Sequence, residues 1–237
     1  MPVSPRIPSC SSALTSLKQH GRIFRSIMTI EAVIFDMDGV LIDAREWHYD
    51  SLNRALELFG HTISRADHLS QFDGLPTKKK LEMLSAGSHF PRKLHNFVNR
   101  LKQSYTLEIV HTKCKPVYAQ ERALSSLKAQ GYKLAVASNS VRASVEAMMD
   151  KSSLARYLDL MMSNEDVAKS KPDPEIYTAA MRRLGVAPER TLIVEDNENG
   201  VRAARASGAH VLVVSGVSEV NLENICGAIA KADGAGL

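Results

Sequence analysis

The chain has 237 residues, 44% of them hydrophobic and 24% charged, with a formal net charge of +4. That length suits one core domain with a modest insertion, and the composition is that of a soluble globular protein. No apolar run approaches the roughly 18 residues of a membrane span, and no long basic block marks nucleic acid as a partner. Cys10, Cys114 and Cys226 lie far apart, which argues against a disulfide framework or a thiolate zinc site and fits a reducing, cytoplasmic setting.

Residues 1–28 hold Arg6, Lys18, Arg22 and Arg25, six serines and no acid. Their composition is that of an organellar transit peptide. Alternatively, Met28 stands directly before the first strand and is the true start; this is the preferred reading, because the fold needs nothing before residue 29. Ala32-Val33-Ile34-Phe35 is too short for a core helix and rich in β-branched side chains, so a buried parallel strand is expected near 31–36. Further strands are expected near 133–138, 158–162, 191–195 and 210–214. The helices between them follow from apolar spacing. One covers about 116–130 with Pro116 in its first turn and Gly131 at its end, and another covers 141–151. A third starts at Asp173-Pro174 and stops at Gly185, and a fourth runs from Glu198 to Gly208. Strands alternating with helices imply an α/β fold with a Rossmann-like parallel sheet and right-handed crossovers. The tail Ala232–Leu237 is expected to fray.

Residues 45–114 interrupt this rhythm with helices alone: Trp47–Phe59 closed by Gly60, Thr77–Leu84, and Pro91–Val110. This stretch carries 11 Lys/Arg against 7 Asp/Glu and six of the eight histidines, a bias that suits an anionic substrate.

Chemistry in an open α/β sheet gathers outside the carboxyl ends of its strands. Four polar signals fall there in order: Asp36-Met37-Asp38-Gly39, Ser138-Asn139-Ser140, Lys169-Ser170-Lys171-Pro172 and Glu195-Asp196-Asn197. Two carboxylates spaced i, i+2 can hold a hard cation, attack an electrophile and move a proton. Ser138 and Asn139 stand where a strand meets a helix N-terminus, a place whose backbone N–H groups favour an anion. Ser140 is expected to cap that helix.

Together the four segments resemble the four motifs of the haloacid dehalogenase superfamily of aspartate-nucleophile hydrolases, over roughly residues 30–225. They are most similar to its members with a helical cap after the first motif, such as phosphoglycolate phosphatase and β-phosphoglucomutase. The resemblance implies a catalytic core of residues 29–44 and 115–237 and a helical cap of residues 45–114. It implies that Asp36 is the nucleophile and Asp38 the general acid and base. Mg2+ would be held by Asp36, the Asp38 carbonyl and Asp196, with Glu195 joining or orienting that shell. Ser138 and Asn139 would bind the phosphoryl group, and so would Lys171, which is preferred to Lys169 because it directly precedes Pro172. Ser170 replaces the usual glycine of that motif. In the cap, His48 and the loop Gly74–Lys79, with Lys78, would contact the rest of the substrate.

The expected function is a Mg2+-dependent phosphomonoesterase for a small phosphorylated metabolite such as a sugar phosphate, working through an aspartyl-phosphate. One alternative is a sugar phosphomutase, weakened because Thr77 stands where those enzymes place an arginine. The other is a catalytically idle interaction protein, weakened because every motif position is filled. No nucleic acid or membrane partner is expected.

Overall fold

A computed structural model describes residues 29–234. The expectations for residues 1–28 and for the last three residues lie outside these. Five strands, β1 (Ala32–Phe35), β2 (Lys133–Ala137), β3 (Leu160–Met162), β4 (Thr191–Glu195) and β5 (His210–Val213), form a parallel sheet of order β3-β2-β1-β4-β5. All lie where the apolar runs place them. β1 is central, with Ala32 in register with Lys133 of β2 on one side and Thr191 of β4 on the other. The strand order reverses at β1, so the crevice outside its carboxyl end is the expected ligand position in a sheet of this kind.

Successive strand side chains point to opposite faces, and both faces are covered. Val33, Phe35, Leu134, Val136, Leu192 and Val194 pack against one helical layer: α5 (Tyr118–Ala129), α6 (Arg142–Lys151) and α9 (Leu222–Ala232). Ala32, Ile34, Ala135, Ala137 and Ile193 pack against the other, α7 (Glu175–Leu184) and α8 (Glu198–Ala206). The Gly185 turn that stops α7 is left-handed, at φ 65°, a conformation that suits glycine.

Between β1 and β2 the chain runs through α1 (Arg45–Glu57), α2 (Arg65–Asp67) continuing into a π turn (His68–Phe72), α3 (Thr77–Gly87) and α4 (His95–Lys113). These helices have an apolar cluster of their own, which includes Leu52, Leu56, Phe72, Leu81, Phe90 and Val98. Among the described residues no helix is long and apolar enough to cross a membrane.

Several expectations need correction. Pro116 lies two residues before α5, which begins at Tyr118. The stretch read as a helix from Pro91 is a 3-10 turn (Arg92–Leu94) followed by α4. The tail is tied down to Asp233: Ala232 closes α9, and Asp233 Oδ1 accepts the Ile30 N–H at 2.8 Å. Cys114 is a buried free thiol.

Candidate active site

Asp36 follows the last residue of β1, and the chain then turns sharply: the Met37 carbonyl accepts the N–H groups of Leu41 and Ile42 at 3.0 and 2.9 Å. Gly39 makes this turn at φ +89°, and a Cβ there would stand 2.0 Å from Asp196 Oδ2. The glycine of the first motif therefore serves both the backbone angle and the close approach of the β4 end. Gly200 on α8 serves a close approach alone, since a Cβ there would meet Glu195 Oε1 at 1.9 Å.

The strand ends bring their polar groups to one cavity. Lys171 Nζ donates to Asp36 Oδ1 and to Glu195 Oε1, both at 2.6 Å, and its side chain is only 4% exposed. Tyr177, from α7, donates its hydroxyl to the same Glu195 oxygen. Ser170 accommodates the lysine loop without a left-handed backbone angle. Lys169, its competitor, is exposed and lies 3.8 Å from Asp173. The Asp38 carboxylate turns the other way. Its Oδ1 meets His48 Nε2 at 2.9 Å, and its Oδ2 accepts the Ser140 hydroxyl at 2.8 Å and the Ser138 hydroxyl at 3.4 Å. Asp36, Asp38, His48, Lys78, Ser138, Asn139, Lys171, Glu195 and Asp196 all line this cavity, Lys78 from an exposed position.

Two local expectations differ from the structure. Ser140 does not cap α6, whose N-cap position is Val141 and carries no side-chain hydrogen bond; the Ser140 hydroxyl is spent on Asp38. The Ser138 and Ser140 N–H groups are also engaged, with the Met162 carbonyl and the Ser138 hydroxyl, each at 3.0 Å. Asn139 holds the lysine loop, its Oδ1 accepting the Lys171 N–H at 3.1 Å, while its Nδ2 donates to the Gly74 carbonyl at 3.2 Å.

The electrostatics follow from crowding. Burial pushes the Asp36 carboxyl well above the usual carboxylate range; Lys171 opposes this, while Glu195, Asp38 and Asp196 add to it. Burial and Glu195 raise Asp196 to about 6 against the Arg45 guanidinium, whose Nη2 donates to Asp196 Oδ2 at 2.7 Å. Burial also works against the Asp38 anion, but the His48 and Ser140 contacts outweigh it and hold the carboxyl below its ordinary value. The charge part of that effect requires protonated His48, whereas burial and the Lys102 ammonium press His48 toward neutral. With His48 neutral, an Nε2–H bond and the Ser140 hydroxyl remain to stabilise the Asp38 anion.

Three carboxylates, Asp36, Glu195 and Asp196, thus converge on two cations, Lys171 and Arg45. Oxygens of Asp36, Glu195 and Asp196 lie within 4.8 Å of one another, and Asp196 Oδ1 is buried without a hydrogen-bond partner. An all-oxygen donor set with an orphaned carboxylate oxygen and surplus negative charge fits a hard divalent cation. The Asp38 carboxylate stands outside this group, so only its carbonyl is available to such an ion.

Sequence reasoning missed Arg45, His68, Asp73, Lys80 and Lys102, all of which line the cavity. A signal for Lys102 existed. Val98, Lys102, Thr106 and Val110 recur every four residues and form the buried stripe of α4, so a lysine on that stripe needs a reason. Lys80 shares the buried face of α3 with Leu81 and Leu84 in the same way.

The comparisons agree with this geometry. Residues 33–214 match the family model described as haloacid dehalogenase-like hydrolase. A phosphorylated carbohydrates phosphatase of Thermotoga maritima is 32% identical over 187 residues, 76% of this chain and 82% of that protein. A phosphoglycolate phosphatase of Nitrosospira multiformis is 27% identical, covering 79% of this chain and 84% of its own. The crystal structure of CbbY from Rhodobacter sphaeroides in complex with phosphate superposes with a TM-score of 0.72 at 26% identity, covering 79% of this chain and 87% of that one. By the family match across most of its length, the chain belongs to the haloacid dehalogenase-like hydrolases.

Proposed function

We propose that this hydrolase is a Mg2+-dependent phosphomonoesterase acting on a small phosphorylated metabolite, with sugar phosphates the first class to test. The observation that carries the reading is the pairing at the end of β1. Asp36 is held by Lys171 at 2.6 Å, and Asp38 stands two residues on, open to the same cavity. The nucleophile is the Asp36 anion, which Lys171 favours against the burial and neighbouring carboxylates that disfavour it, and which a bound cation would favour further. Asp36 attacks phosphorus, an O–P bond forms as the ester O–P bond breaks, and the departing oxygen takes a proton from Asp38, whose acid form the negative charge of the arriving phosphate favours against the His48 and Ser140 contacts that hold the anion. Asp38 then accepts a proton from water as the water oxygen attacks phosphorus, which releases inorganic phosphate and restores Asp36. Lys171 offsets charge on Asp36 and on the phosphoryl oxygens. The Ser138 hydroxyl and Asn139 place that group. Asp36, Asp196 and the Asp38 carbonyl would hold Mg2+, with Glu195 joining or orienting that shell, and the ion would supply the positive charge that lets two anions meet.

The helical insertion, residues 45–114, is proposed to act as a cap on a core of residues 29–44 and 115–237, hinging near Ala44 and Cys114–Pro116. His48, from α1, already reaches Asp38 across this boundary, and closure there would exclude water from the charges around Asp36. A phosphatase is favoured over a mutase because Thr77 offers no planar fork to hold a second phosphate during reorientation. Release of inorganic phosphate from a panel of sugar phosphates, phosphoglycolate and nucleotides tests the reading. Isomer interconversion without release would favour the mutase instead, and inertness toward the whole panel would favour an idle fold.

Two outcomes are expected from the site itself. Asp38→Ala slows turnover of alkyl phosphates by about 10²–10⁴-fold, the range typical of general acid–base catalysis. In single-turnover measurements p-nitrophenyl phosphate loses less in the transfer step, because its leaving group needs little protonation. Equal losses on both esters would remove Asp38 from the acid role. Chelation by EDTA should abolish activity and added Mg2+ should restore it, whereas Ca2+, which prefers a larger and looser oxygen shell, inhibits. Full activity in metal-free buffer would refute the metal assignment.

A further inference from the structure

Arg45 takes no part in the reaction above, yet it is the one hydrogen-bond donor to the Asp196 carboxylate among the described residues. It opens α1, one residue past Ala44, and so belongs to the insertion, whereas Asp196 follows β4 in the core. Its Nη2 donates to Asp196 Oδ2 at 2.7 Å, and its Nε stands 3.5 Å from Asp73 Oδ2. One guanidinium thus lies between two carboxylates, tight on the first and loose on the second. The two carboxylates differ in what else surrounds them. The Asp196 side chain is 1% exposed, its Oδ1 has no hydrogen-bond partner, and a Cβ on Gly39 would stand 2.0 Å from its Oδ2. Asp73 is 21% exposed and meets solvent, and its Oδ2 accepts from Asn197 Nδ2 at 3.5 Å.

A buried carboxylate without a counter-charge is costly, so Arg45 matters most to the fold while nothing else neutralises Asp196. Asp196 is also one of the three carboxylates whose oxygens lie within 4.8 Å of one another and fit a hard cation. A divalent ion there repels the guanidinium and supplies the neutralisation that Arg45 otherwise gives. Two cations that share one carboxylate in this way are linked: each weakens the hold of the other by the same free energy. Asp73 gives the guanidinium somewhere to go. It stands 3.5 Å from Nε, so a small shift toward it leaves Arg45 paired.

We propose that Arg45 is a built-in competitor of the metal: it neutralises Asp196 until a divalent cation does, and then passes to Asp73. The proposal rests on the metal assignment in the phosphomonoesterase reading and adds a regulation of that same site. The start of the insertion, and not the core carboxylates alone, sets how tightly the core takes its metal. The exchange replaces an ion pair between insertion and core, Arg45 with Asp196, by one within the insertion, Arg45 with Asp73.

The test is calorimetric titration of MgCl2 into the full chain without substrate, with thermal unfolding in EDTA and in saturating Mg2+. Arg45→Met should bind Mg2+ more tightly than the native chain, by the roughly 5- to 150-fold typical of coupled sites. It should also unfold at a lower temperature in EDTA and gain more from Mg2+. Arg45→Gln, which keeps a donor for Asp196 but no charge, should shift Mg2+ affinity in the same direction, and it carries the test if the methionine variant does not fold. Asp73→Asn takes away the second partner of the displaced guanidinium, so it should weaken Mg2+ binding in the native background and lose that effect in Arg45→Met/Asp73→Asn. Unchanged Mg2+ affinity in the Arg45 variants would overturn the competition, and weaker affinity would overturn it in favour of a group that merely positions Asp196. An Asp73→Asn effect undiminished in the double variant would overturn the transfer to Asp73. No Mg2+ binding by native chain or variant would overturn the metal assignment and the competition together. Arg45-dependent Mg2+ binding by a chain that releases phosphate from no ester would support the competition and count against the phosphomonoesterase reading.

Discussion

Asp36→Asn should abolish phosphate release while leaving the fold nearly intact. The amide is a far poorer nucleophile than the carboxylate, so the covalent route closes rather than slows. Its effect on stability is small for a reason visible in the site. Burial and three neighbouring carboxylates already work against the Asp36 anion, so a neutral isostere relieves repulsion even as it weakens the Lys171 contact. The thermal midpoint of the variant should therefore fall by no more than a few degrees or rise slightly. Phosphate-release assays on several substrates, run beside thermal unfolding, check both halves. Near-normal activity would remove Asp36 from the reaction.

Lys171→Met should damage stability and activity together. The ammonium bridges Asp36 and Glu195 in a site almost closed to water, and breaking a buried pair by removing one partner costs about 3–5 kcal/mol. That is a large part of the roughly 5–15 kcal/mol that stabilises a typical domain. Burial alone would lower the Lys171 pKa, but Asp36 and Glu195 raise it above its ordinary value. Its stabilising contribution is thus fully present at neutral pH, below the unfolded value, and fades only as pH climbs through the raised folded value. Adding Glu195→Gln to Lys171→Met removes one uncompensated carboxylate, so the double variant should regain part of the stability but none of the activity. A double variant no more stable than the single would show that Glu195 is not what the lysine supports. Urea unfolding and phosphate release separate the two effects.

The parts legible in sequence were those in which local composition and tertiary position coincide. The strands ending at Phe35, Ala137 and Glu195 are short apolar runs buried on both faces, and polar groups just past their ends could be placed by the geometry of any parallel sheet. Lys171 could be chosen over Lys169 from its neighbour Pro172, and the structure buries the first and exposes the second. Less legible was anything that depends on the direction a helix face points. Lys78, Lys79 and Lys80 are adjacent in sequence, but only Lys80 shares the inward face with Leu81 and Leu84. The π turn at His68–Phe72 has no composition that distinguishes it from an ordinary helical turn. α9 was hidden by its glycine-containing surroundings, although Leu222, Ile225 and Ile229 share its buried face. Arg45 was passed over because its partner, Asp196, lies 151 residues away, and no local pattern announces such a contact.

The proposed reaction passes through a covalent phosphoryl-enzyme at Asp36. The direct measurement is to quench the chain in acid during turnover of a substrate carrying a labelled phosphate, then map the label by peptide mass spectrometry. Label is expected on the peptide containing Asp36, base-labile as an acyl phosphate is, and absent from Asp36→Asn. Turnover with label on a histidine such as His48, or with no trapped phosphoryl group under conditions that trap one from a known aspartyl-phosphate enzyme, would contradict it.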